Sequence, residues 1–365
     1  MGPIRVAFDA GPLHGPLTGI GNAVQAMVDA LSELPDVSVE PYLVSFRARP
    51  EPGVRRLPLP AGLALRTWAR SGHPTADRWL DGAQVVHGTN YVVPPSRIPS
   101  VVSVYDCWSL RNPHLAQPAV RLAGRALRAA VRRGAVVHAS STATAEAVRE
   151  LFPSAAVEVV HLGALPVPEP ASSPLPALGG RPFVLAVGTL ERRKGLPALV
   201  AAFGAMPERD HLLVLAGSPG DDSDAVRDAV DALGPSDAGR VLLTGRVDEA
   251  TRSWLLRNAA VLAYPSLDEG FGFPLLDAMQ VGTPVVATRA GSIPEVAGDA
   301  AVLVPLGDRD ALAAALHRTI DDTDLRNRLV GAGEQRWMSF GWDSCARGLA
   351  DLYRRAVQQT AGQLR

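Results

Sequence analysis

Two carboxylates, Glu269 and Asp277, stand eight positions apart in the run Glu-Gly-Phe-Gly-Phe-Pro-Leu-Leu-Asp-Ala-Met-Gln-Val-Gly-Thr, from Glu269 to Thr283. Gly270 and Gly272 let backbone amides approach a ligand closely, and Pro274 suits the first residue of a helix, where its missing N–H costs nothing. The pattern predicts a helix of about two turns that ends at Gly282 and carries Asp277 in its first turn. Such a helix start favours an anion such as a phosphate, because free amides and the helix dipole point at it. Glu269 then stands before the anion site and Asp277 beside it, so the two acids are spaced to grip different parts of one ligand. Phe271 lies in the same loop.

The cation that belongs with them is Lys194. Of the 36 basic residues it is the only lysine, an arginine excess implying that lysine is avoided wherever arginine will serve. It lies in Gly188-Thr-Leu-Glu-Arg-Arg-Lys-Gly195, a loop between the strand Phe183 to Val187 and a helix with Leu196, Leu199, Val200 and Phe203 on one face. Its ammonium at a helix N-terminus would join the amides there in holding a phosphate.

The elements that must position these groups alternate. Strand-like runs at Ile4 to Ala10, Val37 to Val44, Val85 to His87, Val101 to Tyr105, Val136 to Ala139 and Val157 to His161 are interleaved with helical patterns at Val120 to Arg133 and Thr144 to Leu151. After a proline-rich linker, Ala164 to Pro182, a second series runs through Phe183 to Val187, Leu212 to Ala216, Val241 to Thr244 and Thr283 to Thr288, with a helix at Arg309 to Ile320. Strands alternating with helices argue doubly wound parallel sheets, whose ligands sit beyond the carboxyl ends of the strands. Two such ends carry polar groups, His87-Gly-Thr-Asn-Tyr91 and Tyr105-Asp106. Gly19 and Gly21 open a helix after the loop Gly11 to Thr18; with Glu40 they partly match a dinucleotide fingerprint, but Val24 replaces its third glycine and the loop is too long for its tight turn.

The totals bound the partners. A chain of 365 residues, 47% hydrophobic and 20% charged, is expected to form two soluble domains. A net charge of −1 suggests neither a nucleic-acid partner nor a polybasic lipid signal. Cys107 and Cys345 have no metal-ligand spacing and fit a reducing cytoplasmic setting, and no metal-ligand cluster is visible. No signal-peptide core and no apolar run of the ~18 residues that span a membrane are present.

These motifs resemble the retaining glycosyltransferases of family 4 (glycosyltransferase group 1). The resemblance implies the GT-B fold, two Rossmann-like doubly wound domains facing a central cleft, here 1–170 for the acceptor and 171–340 for the nucleotide sugar, with a C-terminal helix in 341–365 crossing back to the first. It implies metal-independent transfer of a hexose from a nucleoside diphosphate sugar, GDP- or UDP-linked, to an acceptor the sequence does not identify. On this resemblance Glu269 holds the sugar hydroxyls, Lys194 the diphosphate, and Asp277 takes the place of a glutamate that bonds the ribose. Val247 offers a backbone contact to the base, and Gly19 and Gly21 approach the diphosphate. The family's first loop glycine is followed by an arginine where this chain has Thr189, so Arg192 or Arg193 is left to supply a second charge. Where the family has His-Asp the chain has Tyr105-Asp106, with His87 able to take over the polar contact. The run Val-Val-His-Gly-Thr-Asn-Tyr-Val-Val-Pro-Pro inclines the resemblance to mannosyltransferases.

Three other readings compete. A non-catalytic nucleotide-sugar binder is suggested by Tyr105 and Asp277, an NAD-dependent oxidoreductase by Gly19, Gly21 and Glu40, and a glycosidase by the paired acids. Binding without turnover marks the first, cofactor fluorescence the second. The third is disfavoured by one acid on a loop and the other on a helix beside an anion site.

Overall fold

The computed structural model describes residues 2–15, 18–170, 175–207 and 210–363. Positions 16 and 17 of the loop before Gly19, and 171–174 of the proline-rich linker, lie outside the described residues. The chain divides into two compact units, Met1–Gly163 with Phe340–Arg365, and Ala164–Ser339.

The first unit is built on seven parallel strands: β1 (Ile4–Asp9), β2 (Val37–Val44), β3 (Arg55–Leu57), β4 (Val85–Gly88), β5 (Ser100–Val104), β6 (Val136–Ala139) and β7 (Val157–Val159), in the order β3-β2-β1-β4-β5-β6-β7. Runs such as Val85-Val86 and Val101-Val102 are buried because helices cover both faces, which is why these strands are continuously apolar instead of alternating. The closing helix, Trp342–Gln363, belongs to this unit and lies against the helix Gly19–Ser32 and strands β4 and β5.

The second unit repeats the plan with β8 (Phe183–Val187), β9 (Leu212–Ala216), β10 (Val241–Gly245), β11 (Val261–Tyr264), β12 (Val285–Thr288) and β13 (Val302–Val304), ordered β10-β9-β8-β11-β12-β13 and parallel throughout. In each sheet the winding reverses beside the first strand, between β1 and β4 and between β8 and β11. A ligand crevice belongs at such a reversal, outside the carboxyl ends of the strands. The expected α/β class and doubly wound plan hold in both units.

The short strands β3, β11 and β13 escape the sequence reading. Val261–Tyr264 is four residues between a helix and a proline, too short to show a period. The motif helix spans Phe273–Gln280, so Pro274 is its second residue and Asp277 its fifth, in the second turn, not the first. It stops two residues before Gly282, whose φ of +76° takes the chain out of the helix.

Candidate functional site

The reversal point of the second sheet gathers the charged residues that the sequence singles out. Beyond β8, residues Arg192–Lys194 make a single 3-10 turn, and Gly195 (φ +62°) leads into the helix Leu196–Gly204. A Cβ at Gly195 would lie 2.4 Å from the carbonyl oxygen of Pro265, so only glycine lets this turn press against the loop after β11. The Leu267 amide donates to the Arg193 carbonyl at 2.6 Å and joins the two loops directly.

That contact brings Lys194 to Glu269, both more than nine-tenths buried. Lys194 Nζ donates to Glu269 Oε2 at 2.7 Å and to the Tyr264 hydroxyl at 3.0 Å, and Arg193 Nη1 donates to Glu269 Oε1 at 2.8 Å. Tyr264, at the end of β11, donates to the same Oε2 at 2.6 Å, with Ser266 Oγ at 3.3 Å. Arg193 is held in turn by Glu191, Nε to Oε2 at 2.9 Å. Burial alone would raise the Glu269 carboxyl, but the charges of Lys194 and Arg193 outweigh it and hold the group down at about 2. Burial also pulls the Lys194 ammonium below its ordinary value, against the attraction of Glu269. The backbone of Glu269 is pinned from the other side, where its carbonyl accepts from the Ser292 amide at 2.8 Å.

Tyr264 and Ser266 are the functional candidates that sequence reading missed. The only signal for them is the apolar run Val261-Leu-Ala-Tyr264 ending at a proline, a strand end five residues before Glu269.

Gly270, Phe271 and Gly272 form the buried turn from Glu269 into the helix, with Gly272 at φ +94° as its N-cap and the Phe271 and Phe273 rings edge to face at 5.2 Å. Asp277 is buried on the next turn and is already partnered, its Oδ2 accepting from Arg252 Nη1 at 2.7 Å. Arg252 stands on the helix Glu249–Asn258 and is also held by Glu249 at 2.8 Å. Burial lifts the Asp277 carboxyl to about 6, with Arg252 opposing. Val247 is half-buried just before that same helix. Thr189 is half-buried beyond β8, its carbonyl accepting from the Glu191 amide at 2.7 Å.

The other candidates belong to the first unit. Gly19 and Gly21 lie in the first turn of the helix Gly19–Ser32, where Thr18 Oγ1 caps the Gly21 amide at 3.3 Å, and a Cβ on Gly19 would meet open space. The Tyr105 hydroxyl is buried with no hydrogen-bond partner among the described residues, and that burial pushes the phenol above its ordinary range. Asp106 Oδ1 accepts from the Trp108 amide at 3.0 Å.

His87 does not present a nitrogen at the strand end. Its ring is fully buried, Nδ1 2.7 Å from the Tyr353 hydroxyl and Nε2 2.8 Å from Ser103 Oγ. Ser103 Oγ lies 2.8 Å from His138 Nδ1, and the chain ends where His138 Nε2 meets the Val160 carbonyl at 2.9 Å. This network ties β4, β5 and β6 to the closing helix. Burial drives His87 well below its ordinary pKa and His138 down to about 4.

Among the described residues no three His, Cys, Asp or Glu are gathered as metal ligands would be, and no helix is long and apolar enough to cross a membrane.

Comparison with known proteins places this site in context. The family model described as glycosyl transferases group 1 matches residues 170–336. O-antigen chain mannosyltransferase B of Escherichia coli is 25% identical across 96% of this chain and 100% of its own length. Phosphatidyl-myo-inositol mannosyltransferase of Mycolicibacterium smegmatis is 34% identical over 45% of this chain, which there spans only 42% of the relative. Among solved structures, Anabaena Alr3699/HepE in complex with UDP and glucose has a TM-score of 0.70 at 18% identity, covering 96% of this chain and 100% of that one. This last likeness is one of fold.

Proposed function

Since the chain belongs to the glycosyl transferases group 1 family, we propose that it is a retaining hexosyltransferase that takes its sugar from a nucleoside diphosphate donor. The observation that carries this reading is the buried Glu269 carboxylate held between Lys194 and Arg193 at the reversal point of the second sheet. An ionised carboxylate there accepts hydrogen bonds from sugar hydroxyls, and the two cations beside it suit a diphosphate.

In the proposed reaction the bond between the anomeric carbon and the diphosphate oxygen breaks. The acceptor oxygen bonds to that carbon from the face the diphosphate leaves, and the acceptor's hydroxyl proton passes to a diphosphate oxygen. Lys194, Arg193 and loop amides around Thr189 and Gly270 stabilise the charge that builds on the leaving group, where preorganised donors contribute most. Asp277, oriented by Arg252, meets the ribose, and Val247 offers a backbone contact to the base. The reading requires no metal and sets the reaction in the cytoplasm.

Mannose is the proposed hexose, supported by the names of the two relatives above and by the Val85-to-Pro95 run; a GDP-linked donor is proposed, with UDP as the other base to test. Thermal unfolding with GDP-mannose, UDP-glucose and ADP-glucose tests it, since a ligand at a hundred times its dissociation constant stabilises by about 2.7 kcal/mol. The expected result is the largest shift with GDP-mannose. No shift with any nucleotide sugar would overturn the donor assignment.

A further inference from the structure

Of the residues gathered around Glu269, Tyr264 alone stands on a strand. Arg193 and Lys194 belong to a single 3-10 turn, and Ser266 and Glu269 lie in the loop after β11. Tyr264 is the last residue of β11, which is hydrogen-bonded to β8 on one side and to β12 on the other, with Tyr264 in register with Ala287. It is 2% exposed. A side chain on an interior strand is held more precisely than one on a loop, so Tyr264 is the member of the cluster best able to fix the others.

The directions of its hydrogen bonds follow from the chemistry of the three groups. An ammonium only donates and an ionised carboxylate only accepts. The Tyr264 hydroxyl therefore accepts from Lys194 Nζ, at 3.0 Å, and gives its one proton to Glu269 Oε2, at 2.6 Å. Lys194 Nζ also lies over the face of the Tyr264 ring, 4.8 Å from its centroid. Two of the three ammonium N–H groups are thus engaged, by Tyr264 and by Glu269 Oε2, and among the described residues the third has no acceptor. Oε2 receives Lys194 and Tyr264, with Ser266 Oγ at 3.3 Å, whereas Oε1 receives Arg193. A carboxylate offers about four lone-pair sites over its two oxygens, so the open one is on Oε1.

We infer that Tyr264 is a positioning residue that ties two loop-borne charges to the sheet: its hydroxyl fixes Lys194 and Glu269 Oε2, leaving the third ammonium N–H for a diphosphate oxygen and Oε1 for a sugar hydroxyl. On the donor reading proposed above, on which this rests, each charged group then meets the donor with a defined atom. Without the hydroxyl the ammonium keeps Glu269 but loses the bond that sets its direction. A cation that turns on its flexible stem holds a phosphate less well than one fixed in place.

The test is calorimetric titration of the full chain with GDP and with UDP, in the wild type, Tyr264→Phe, Lys194→Ala and the double variant. Phenylalanine keeps the ring under the ammonium and removes the hydroxyl alone. Tyr264→Phe is expected to bind the diphosphate that the wild type takes roughly fivefold more weakly, and to add no further loss once Lys194 is replaced by alanine. Unchanged affinity in Tyr264→Phe, or the same loss in both backgrounds, would overturn the inference. A second measurement needs no donor: Lys194 is the chain's only lysine, so its acylation can be followed by mass spectrometry as a function of pH. Loss of the hydroxyl acceptor destabilises the charged ammonium while Glu269, Arg193 and Glu191 stay in place, so the midpoint should fall in Tyr264→Phe. An identical midpoint would overturn the inference whether or not a diphosphate binds. A wild-type chain that takes neither GDP nor UDP would instead overturn the donor reading, with the acylation midpoint still deciding whether Tyr264 holds Lys194.

Discussion

Lys194 Nζ lies 2.7 Å from Glu269 Oε2 across 75 residues of sequence. The pair forms because the turn after β8 and the loop after β11 meet at the one place where the sheet's winding reverses, with Gly195 leaving no Cβ between them. Two cations and one carboxylate, buried together, are a site with charge to exchange. An incoming diphosphate can take bonds from Lys194 and Arg193, and sugar hydroxyls can take the carboxylate.

Glu269→Gln tests that exchange. Removing one partner of a buried ion pair leaves an uncompensated charge and typically costs about 3–5 kcal/mol. The variant is therefore expected to unfold at lower temperature and to turn over at least tenfold more slowly, while nucleoside diphosphate restores more stability to it than to the wild type. Differential scanning with and without GDP or UDP reads this directly; an equal shift in both proteins would detach Glu269 from the diphosphate site.

Asp277 gives a pH signature. Its folded pKa of about 6 lies above the ordinary 3.8, so the folded state holds a proton that the unfolded chain has released between those values. Asp277 thus contributes stability below about pH 3.8 that is lost as pH rises through about 6. Donor affinity should move the other way, improving as the carboxylate ionises near pH 6 and can accept from the ribose. Calorimetric donor titrations from pH 5 to pH 8 should show this in the wild type and a flat, weaker profile in Asp277→Asn. An identical profile in the variant would leave Asp277 as only a partner for Arg252.

The buried histidines predict an acid limit for the first unit. His138, at about 4 when folded, is uncharged there while the unfolded chain, with an ordinary histidine pKa of about 6.5, takes up a proton. Stability is fully present above about pH 6.5, falls as pH drops, and levels off once pH passes below about 4. His87 adds to the loss in the same direction. Urea unfolding of His138→Asn should give lower stability at pH 7 but a shallower decline toward pH 4 than the wild type. Parallel declines would place the acid sensitivity elsewhere.

Gly291→Ala is expected to injure the site from behind. Gly291 sits at φ +50°, and a Cβ there would come within 2.3 Å of the Glu269 carbonyl oxygen and 2.6 Å of its amide nitrogen, so the backbone beneath the carboxylate must shift. Loss of ordered geometry at a catalytic group costs rate steeply. Turnover should fall at least tenfold in a protein that still folds, and unchanged kinetics would mean the backbone of Glu269 tolerates displacement.

Much of this was legible in the sequence where the physics is local. The glycine loop with Glu269, the single lysine and the alternation of apolar runs give the site loop, the cation and the doubly wound class. What escaped is what depends on packing between distant segments. Nothing near Asp277 announces Arg252, which arrives from a helix 25 residues earlier. Tyr264 ends a four-residue strand without measurable period. His87 stands at a strand end, as a ligand residue would, but its ring turns into a network closed by Tyr353, 266 residues away. A sum of charge over the chain likewise does not show that the arginines outnumber the acids in one unit and not in the other.

The central claim is that Lys194 holds the donor's diphosphate while Glu269 holds its sugar, and calorimetric titration of Lys194→Ala with nucleoside diphosphate tests it most directly. Charge-assisted bonds to a phosphate contribute about 1.5–3 kcal/mol, so the account predicts at least tenfold weaker binding of GDP or UDP, whichever the wild type takes. Lys194→Ala binding that diphosphate with wild-type affinity would contradict it.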